Sequence, residues 1–413
     1  MSREVRSTAS IIKTLGALSS RWLNPQYPFR KKAVRKLVQK SRFSEAMAEA
    51  LLDALFQELT APKLTQLLKS EIGNPEVLDG FRKNPLTGVQ HFAQGPKRIT
   101  HIFSGNMPNP SITSFVLGML VKSVNMGKLS SKDEGFLEIY LESLKSCDQK
   151  LAASNFLIDP KNRKALWEAM ETSDLVVAYG SNANLKEIQK SVPAGTPFIA
   201  YGHRVSFGLF MKEALTPKNS SLLAKESARD IWMADQRGCL SPLVIFAQKG
   251  GKVSVLNFAE ELAKALAKLS GNKPHTPPYD RVVRAQTNLN SYHMKQVAGE
   301  KVRFWGSSPR GVWGVFYDEK IQELALSQGG QEIYVKAFSR VEDVFKVISP
   351  LKKYLQAVAL EAAPGHQKAL ATQLSSLGVN RITRAGRMQS PPITWHHDGK
   401  PNLAQWLTWT DLE

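Results

Sequence analysis

Residues 174–179, Asp-Leu-Val-Val-Ala-Tyr, constrain the fold more than any other stretch of this chain. The unbroken apolar run, with β-branched residues at its centre, reads as a buried strand. It stops at Gly180-Ser181, and a helix begins near Asn184, with Glu187 three residues on. A strand, a small turn and a helix N-terminus in this order make an anion-binding arrangement, because the first backbone N–H groups of a helix have no partner within it. No G-x-G-x-x-G accompanies the turn, so the ordinary dinucleotide fingerprint is absent.

An alternation of strands and helices surrounds this run, which is the pattern of an α/β fold. A strand is expected over 98–103, followed by a loop, 104–110, with two prolines. The next helix carries Ile112, Phe115, Val116, Leu117, Met119, Leu120 and Val121 and has no polar face, so it is expected to be buried. A short strand over 123–128 ends at Leu129-Ser130-Ser131. Ser131 with Glu134 makes a capping box for a helix striped by Phe136, Leu137, Tyr140, Leu141 and Leu144. Cys147 on that helix reads as a packed core thiol. Residues 197–201 form another strand, closed by Gly202-His203-Arg204. Further strands are expected over 243–247, 313–317 and 332–338, with a helix over 259–269. The first 60 or so residues read as helices, one capped by Ser44. The stretch 80–96 reads as a long connection, and the tail 384–413 is aromatic and short on periodicity.

The 413 residues, 42% hydrophobic, are enough for two or three domains with sizeable cores. Two cysteines argue against a disulfide framework and fit a reducing cytosol. No apolar run is long enough to cross a bilayer, and 1–18 has no signal-peptide core, so a soluble cytoplasmic protein is expected. A net charge of +19 attracts polyanions: nucleic acid, anionic lipid, or phosphate-rich molecules such as coenzyme A and NADPH. Much of it sits in Arg30-Lys31-Lys32, Arg35-Lys36, Lys40 and Arg42, read as a solvated helix face. No zinc-finger spacing and no RNP-like aromatic motif is present. His396-His397-Asp398 has no third ligand cluster, so no metal is expected.

The stretch of greatest chemical interest is Asp235-Gln236-Arg237-Gly238-Cys239-Leu240-Ser241-Pro242. It sets a thiol at the mouth of a strand, beside an arginine that favours the thiolate and a glycine that lets a substrate approach the backbone. The other reading of Cys239 is a small buried hydrophobe.

Gly105-Asn106-Met107-Pro108, Lys128-Leu129-Ser130-Ser131, Tyr179-Gly180-Ser181 and Arg237-Gly238-Cys239 stand in a telling order. Together they resemble the aldehyde dehydrogenase superfamily. The Asn-Met-Pro and Cys239 stretches, with the tail Gly386-Arg387-Met388-Gln389 to Trp395-His396-His397-Asp398-Gly399, are most similar to the acyl-CoA reductases of the bacterial luminescence type (LuxC). The resemblance covers the chain from about Arg98 to the C-terminus, and the N-terminal region more loosely.

The resemblance implies two Rossmann-like α/β domains: a helical region over 1–97 packed on a cofactor domain, 98–204, then a catalytic domain, 205–383, and a C-terminal arm, 384–413. It implies NADPH-dependent reduction of a long-chain fatty acyl-CoA to the aldehyde through a thioester on Cys239. Asn106 and the Cys239 backbone N–H would donate to the oxyanion. Lys128, Ser130 and Ser131 would face the adenosine ribose, and Gly180 and Ser181 the pyrophosphate. Ser131 stands where NAD-preferring relatives carry a glutamate, and its lack of charge suits a 2′-phosphate. Ala200 stands where hydrolytic relatives carry the glutamate that activates water, which argues against release of free acid. His203 is a candidate acid/base residue. The implied partners are fatty acyl-CoA, or an acyl-carrier or acyl-synthetase protein, and further copies of the chain in a dimer or tetramer. Two other functions fit less well: an aldehyde dehydrogenase, CoA-acylating or hydrolytic, working oxidatively, and a basic nucleic-acid-binding protein that kept the fold.

Overall fold

The computed structural model describes residues 6–41, 43–105, 109–130, 135–271, 278–307 and 313–413. The chain divides into two units: Met1–His203 with Pro392–Glu413, and Arg204–Pro391.

In the first unit, strands β1 (Arg82–Lys83) and β2 (Gln90–Gln94) precede β3 (Arg98–Ile102), β4 (Val124–Lys128), β5 (Asn155–Ile158), β6 (Leu175–Tyr179) and β7 (Phe198–Tyr201). The last five form a parallel sheet in the order β5-β4-β3-β6-β7. That is a doubly wound arrangement whose winding reverses beside β3 and β6. The run 174–179 is its buried strand, with Val176, Val177 and Ala178 fully covered. The helix Asn109–Leu120 packs so closely on β4 that a Cβ on Gly118 would lie 1.9 Å from the Asn125 Oδ1. Beneath it His101 is fully buried, with Nδ1 against Ser114 Oγ at 2.8 Å and Nε2 against Asn125 Oδ1 at 2.9 Å.

The N-terminal helices form as expected; Ser44 caps Glu45–Glu58 by accepting the Met47 N–H. Most of the basic run is the solvated face expected, with Lys31, Lys32, Arg35 and Lys40 exposed, but Arg30 departs from it. Arg30 is buried, bound to Glu49 and, at 2.7 Å, to Asp53, while Lys32 reaches Glu142 at 2.6 Å. Cys147 is exposed, not packed in the core. It ends the helix Phe136–Cys147, one turn past the last apolar contact at Leu144, and accepts from Arg21 Nη1 at 2.9 Å.

The expected connection over 80–96 contains β1 and β2. They form a three-stranded antiparallel sheet with Thr408–Leu412 from the far end of the chain. The register sets Gln94 against Thr408 and Gln90 against Leu412, and His91 Nδ1 lies 2.6 Å from Asp411 Oδ1. Only Ala93 of β2 is buried, so the strand carries no apolar alternation.

The second unit contains β8 (Val205–Phe210), β9 (Pro242–Gln248), β10 (Val302–Gly306), β11 (Gly314–Asp318), β12 (Glu332–Phe338), β13 (Leu355–Glu361) and β14 (Arg381–Thr383). They build one seven-stranded sheet, β10-β11-β12-β9-β8-β13-β14, parallel throughout except at β10. Phe207, Leu209, Phe246, Val358 and Leu374 lie in its core. Inside it Lys336 and Asp318 form a buried ion pair at 2.7 Å, and Tyr292 donates to the same carboxylate. Among the described residues no helix is long and apolar enough to cross a membrane.

Candidate active site

Cys239 occupies the turn that leads into β9, partly exposed and outside any disulfide. The turn is held by its backbone. Ser241 N–H donates to the Gly238 carbonyl at 3.1 Å, and Ser206 Oγ on β8 donates to the Cys239 carbonyl at 2.7 Å. The Ala357 N–H donates in turn to Ser206 Oγ at 3.2 Å, tying the turn to β13. The neighbouring arginine, Arg237, forms an ion pair with Asp235 at 3.6 Å.

A second segment closes on the turn from the C-terminal side of the unit. Asp230, buried at the end of the helix Ser220–Trp232, accepts the N–H groups of Gly386 at 2.7 Å and Met388 at 3.1 Å. Gln389 Nε2 donates to Ser241 Oγ at 2.6 Å, two residues from the thiol. Arg381 donates to the carbonyls of Met388 and Arg387, both at 2.7 Å. Burial draws its guanidinium down to about 10, while the charges of Asp230 and Cys239 act in the opposite sense, so Arg381 remains a cation within electrostatic reach of the thiol. Burial pushes the Asp230 carboxyl up to about 7 against the pull of the N–H donors and Arg381. Nearby on β13, Gln356 is fully buried, and among the described residues neither of its side-chain amide atoms has a hydrogen-bond partner.

In the first unit, the carboxyl ends of the parallel strands gather the other candidate residues. Lys128 ends β4, with Ser130 two residues on. Gly180 and Ser181 follow β6 at the edge where the sheet order reverses, the place where doubly wound sheets bind ligands. Ser181 caps the helix Asn182–Ser191 by accepting the Asn184 N–H at 3.3 Å. A Cβ on Gly180 would meet only the Asn184 Cβ, at 3.8 Å, so a ligand can approach this backbone closely. Beside it, the rings of Phe103, Tyr179, Tyr201 and His397 stack in succession at 5.6, 4.8 and 4.3 Å. His203 is exposed, and its backbone N–H donates to Asn182 Oδ1 at 3.2 Å. Ala200 is exposed near the end of β7. Asn106 and Ser131 lie outside the described residues, as does the Ser131–Glu134 capping box.

A phosphate group with a ribose fits this donor set: an open glycine turn, a helix N-terminus and a lysine at the carboxyl end of one sheet. The cysteine turn in the second unit has the parts of an acyl-transfer site, a thiol and a fixed cation. Sequence reading found Cys239 and the Gly386–Gln389 stretch. It missed Arg381, Asp230 and Ser206, which reach the turn from distant positions.

The sequence pattern of one family, described as acyl-CoA reductase (LuxC), matches residues 4–409. A long-chain acyl-protein thioester reductase from Photorhabdus laumondii is 23% identical over 98% of this chain and 82% of its own. The protein of the same name from Vibrio harveyi is 23% identical over 91% and 78%. Among solved structures, an NAD-dependent benzaldehyde dehydrogenase from Corynebacterium glutamicum superposes with a TM-score of 0.67 over 99% of this chain and 86% of that one, at 13% identity. The fold is therefore that of the aldehyde dehydrogenases, and with the family pattern spanning nearly its whole length, the chain belongs to the acyl-CoA reductase (LuxC) family.

Proposed function

We propose that this protein reduces a long-chain acyl thioester to the fatty aldehyde, with Cys239 carrying the acyl group between donor and reductant and NADPH as the cofactor. The observation that carries the reading is the thiol of Cys239 in a turn braced by Ser206, with the half-buried guanidinium of Arg381 close enough to feel its charge. The family's description favours acyl-CoA as donor, and the relatives' names favour an acyl group carried on a protein.

The Cys239 thiolate attacks the donor's carbonyl carbon. A new carbon–sulfur bond forms, the donor's carbon–sulfur bond breaks, and the donor leaves as a thiol after taking a proton. Arg381 favours the thiolate over the thiol because a nearby positive charge stabilises the negative one. The side-chain amide of Asn106 and the backbone N–H of Cys239 hold the oxyanion, each donor being worth about 3 kcal/mol in such reactions. His203 is the candidate proton donor to the leaving sulfur. Lys128, Ser130, Ser131, Gly180 and Ser181 would hold the cofactor's ribose and phosphates. Reduced nicotinamide held there would supply a hydride to the thioester carbon, and Cys239 would leave as the thiolate when the aldehyde forms. Ala200 offers no base to water, so the acyl-enzyme waits for hydride or for another thiol.

Intact-mass analysis after incubation with acyl-CoAs of several lengths tests this. Wild type and Cys147→Ala gain one acyl group and Cys239→Ala gains none. With NADPH the adduct disappears as aldehyde forms, and Ala200→Glu diverts it to free acid. An adduct that persists in Cys239→Ala sinks the reading.

A further inference from the structure

Two turns in the second unit adopt the left-handed backbone that side chains disfavour. Upstream of the thiol, Ala234, Asp235 and Gln236 have φ of 54°, 56° and 56°. Ahead of β12, Gly329, Gly330 and Gln331 have φ of 88°, 82° and 62°. Four of these six residues carry a Cβ, so neither turn holds this shape by local preference; the surroundings must impose it.

The two turns impose it on each other. Gly330 N–H donates to the Asp235 carbonyl at 3.0 Å, and Gln331 Nε2 to Asp235 Oδ1 at 3.0 Å. Gln236 Nε2 donates to the carbonyls of Pro242 and Glu332, both at 2.9 Å. The first of these bonds closes the loop 236–242 around Cys239; the second pins it to β12. One further group grips both turns. Arg281, buried on the helix Tyr279–Val297, sends Nη1 to the Asp235 carboxylate at 3.1 and 2.9 Å and Nη2 to the Gly330 carbonyl. The fit is tight: a Cβ on Gly330 would lie 2.6 Å from Arg281 Nε.

We propose that Arg281 is a positioning residue for Cys239: by bridging the Asp235 carboxylate and the Gly330 backbone, it locks the paired turns 234–236 and 329–331 and so fixes how the Gly238–Cys239 turn presents its thiol. The strands that carry the turns are joined independently of it, since β9 and β12 pair from Val244–Tyr334 to Gln248–Phe338. Losing Arg281 therefore frees the elbow while the sheet stays paired. Acyl transfer needs the sulfur and the carbonyl carbon aligned, and a misplacement of about 1 Å can cost about 10²-fold. Alkylation by iodoacetamide, a small reagent that needs no built site, has no such requirement.

The inference rests on Cys239 being the acylated residue, so wild type is examined first. If it acquires no acyl group on Cys239, that reading falls and this inference with it. If it does, the ratio of acyl-transfer rate to iodoacetamide alkylation rate at Cys239 is compared in wild type, Arg281→Gln and Arg281→Lys. Arg281→Gln is expected to lower the ratio by about 10- to 100-fold, through kcat rather than KM. Arg281→Lys, which keeps the charge but not the two-armed grip, falls in between. Equal losses in both reactions, or an unchanged ratio, overturn the inference and leave the acyl-enzyme reading standing. Should Arg281→Gln not fold, the Arg281→Lys ratio decides alone: lowered supports the proposal, unchanged overturns it.

Discussion

Ser206 ties Cys239 to the sheet: its hydroxyl donates to the Cys239 carbonyl at 2.7 Å and accepts the Ala357 N–H at 3.2 Å. One hydroxyl thus satisfies a carbonyl on the thiol's own residue and an N–H at a bulge in the β8–β13 pairing, where the register shifts between Leu355 and Val358. Ser206→Ala removes both bonds at once. Denaturant unfolding is expected to show a loss of about 1–3 kcal/mol, and acyl-enzyme formation should slow while substrate affinity holds. An unchanged acylation rate would mean that the turn needs no anchor on β8.

Arg381→Gln removes the cation from the thiol. Alkylation of Cys239 by iodoacetamide is expected to slow most at neutral pH and least at high pH, where the thiol ionises unaided. Cys147 is exposed, so the reaction is followed in a Cys147→Ala background. A uniform slowing at every pH would point to lost access rather than lost charge.

Ser131→Glu is expected to shift cofactor preference from NADPH towards NADH, because a carboxylate repels a 2′-phosphate and can hold the ribose diol. The ratio of kcat/KM for the two cofactors measures it. A wild-type enzyme that already prefers NADH contradicts the assignment of Lys128, Ser130 and Ser131.

His101 gives the first unit an acid-sensitive core. Burial lowers its imidazole from the usual value to about 4, the bond to Asn125 opposing this. Between about pH 6.5 and the folded-state value, the unfolded chain takes up a proton that the folded chain refuses, so stability is full above this window and is lost as pH falls through it. His101→Gln should be less stable at pH 7.5 but lose less on acidification to pH 5. Denaturant midpoints at the two pH values check this, and equal acid losses in both proteins would refute it.

The sequence was most legible where local pattern and tertiary role agree. Residues 175–178 are apolar because both faces of β6 are covered there, and Ser44 caps a helix because its hydroxyl meets the Met47 N–H three residues on. The cysteine turn was visible from Gly238, Cys239 and Pro242 alone. β8 was missed although Val205–Phe210 is entirely buried, because its start directly follows the loop Gly202-His203-Arg204. β2 was missed because its partner lies more than 300 positions away, as the separation of 320 between His91 and Asp411 shows. Arg381 was hidden for the same reason. Nothing in its own neighbourhood announces Cys239, and only the parallel pairing of Ala357 with Arg381 brings β14 to that side of the sheet.

The strand Thr408–Leu412, which completes the small sheet of the first unit, is made after every residue of the second. A ribosome therefore releases an uninterrupted second unit, 204–391, while the first still lacks its last strand. The unpaired edge of β2 must stay available throughout that interval, open to any extended segment that passes. Vectorial synthesis thus gives this chain a period of exposure that refolding from denaturant, with all residues present at once, does not reproduce.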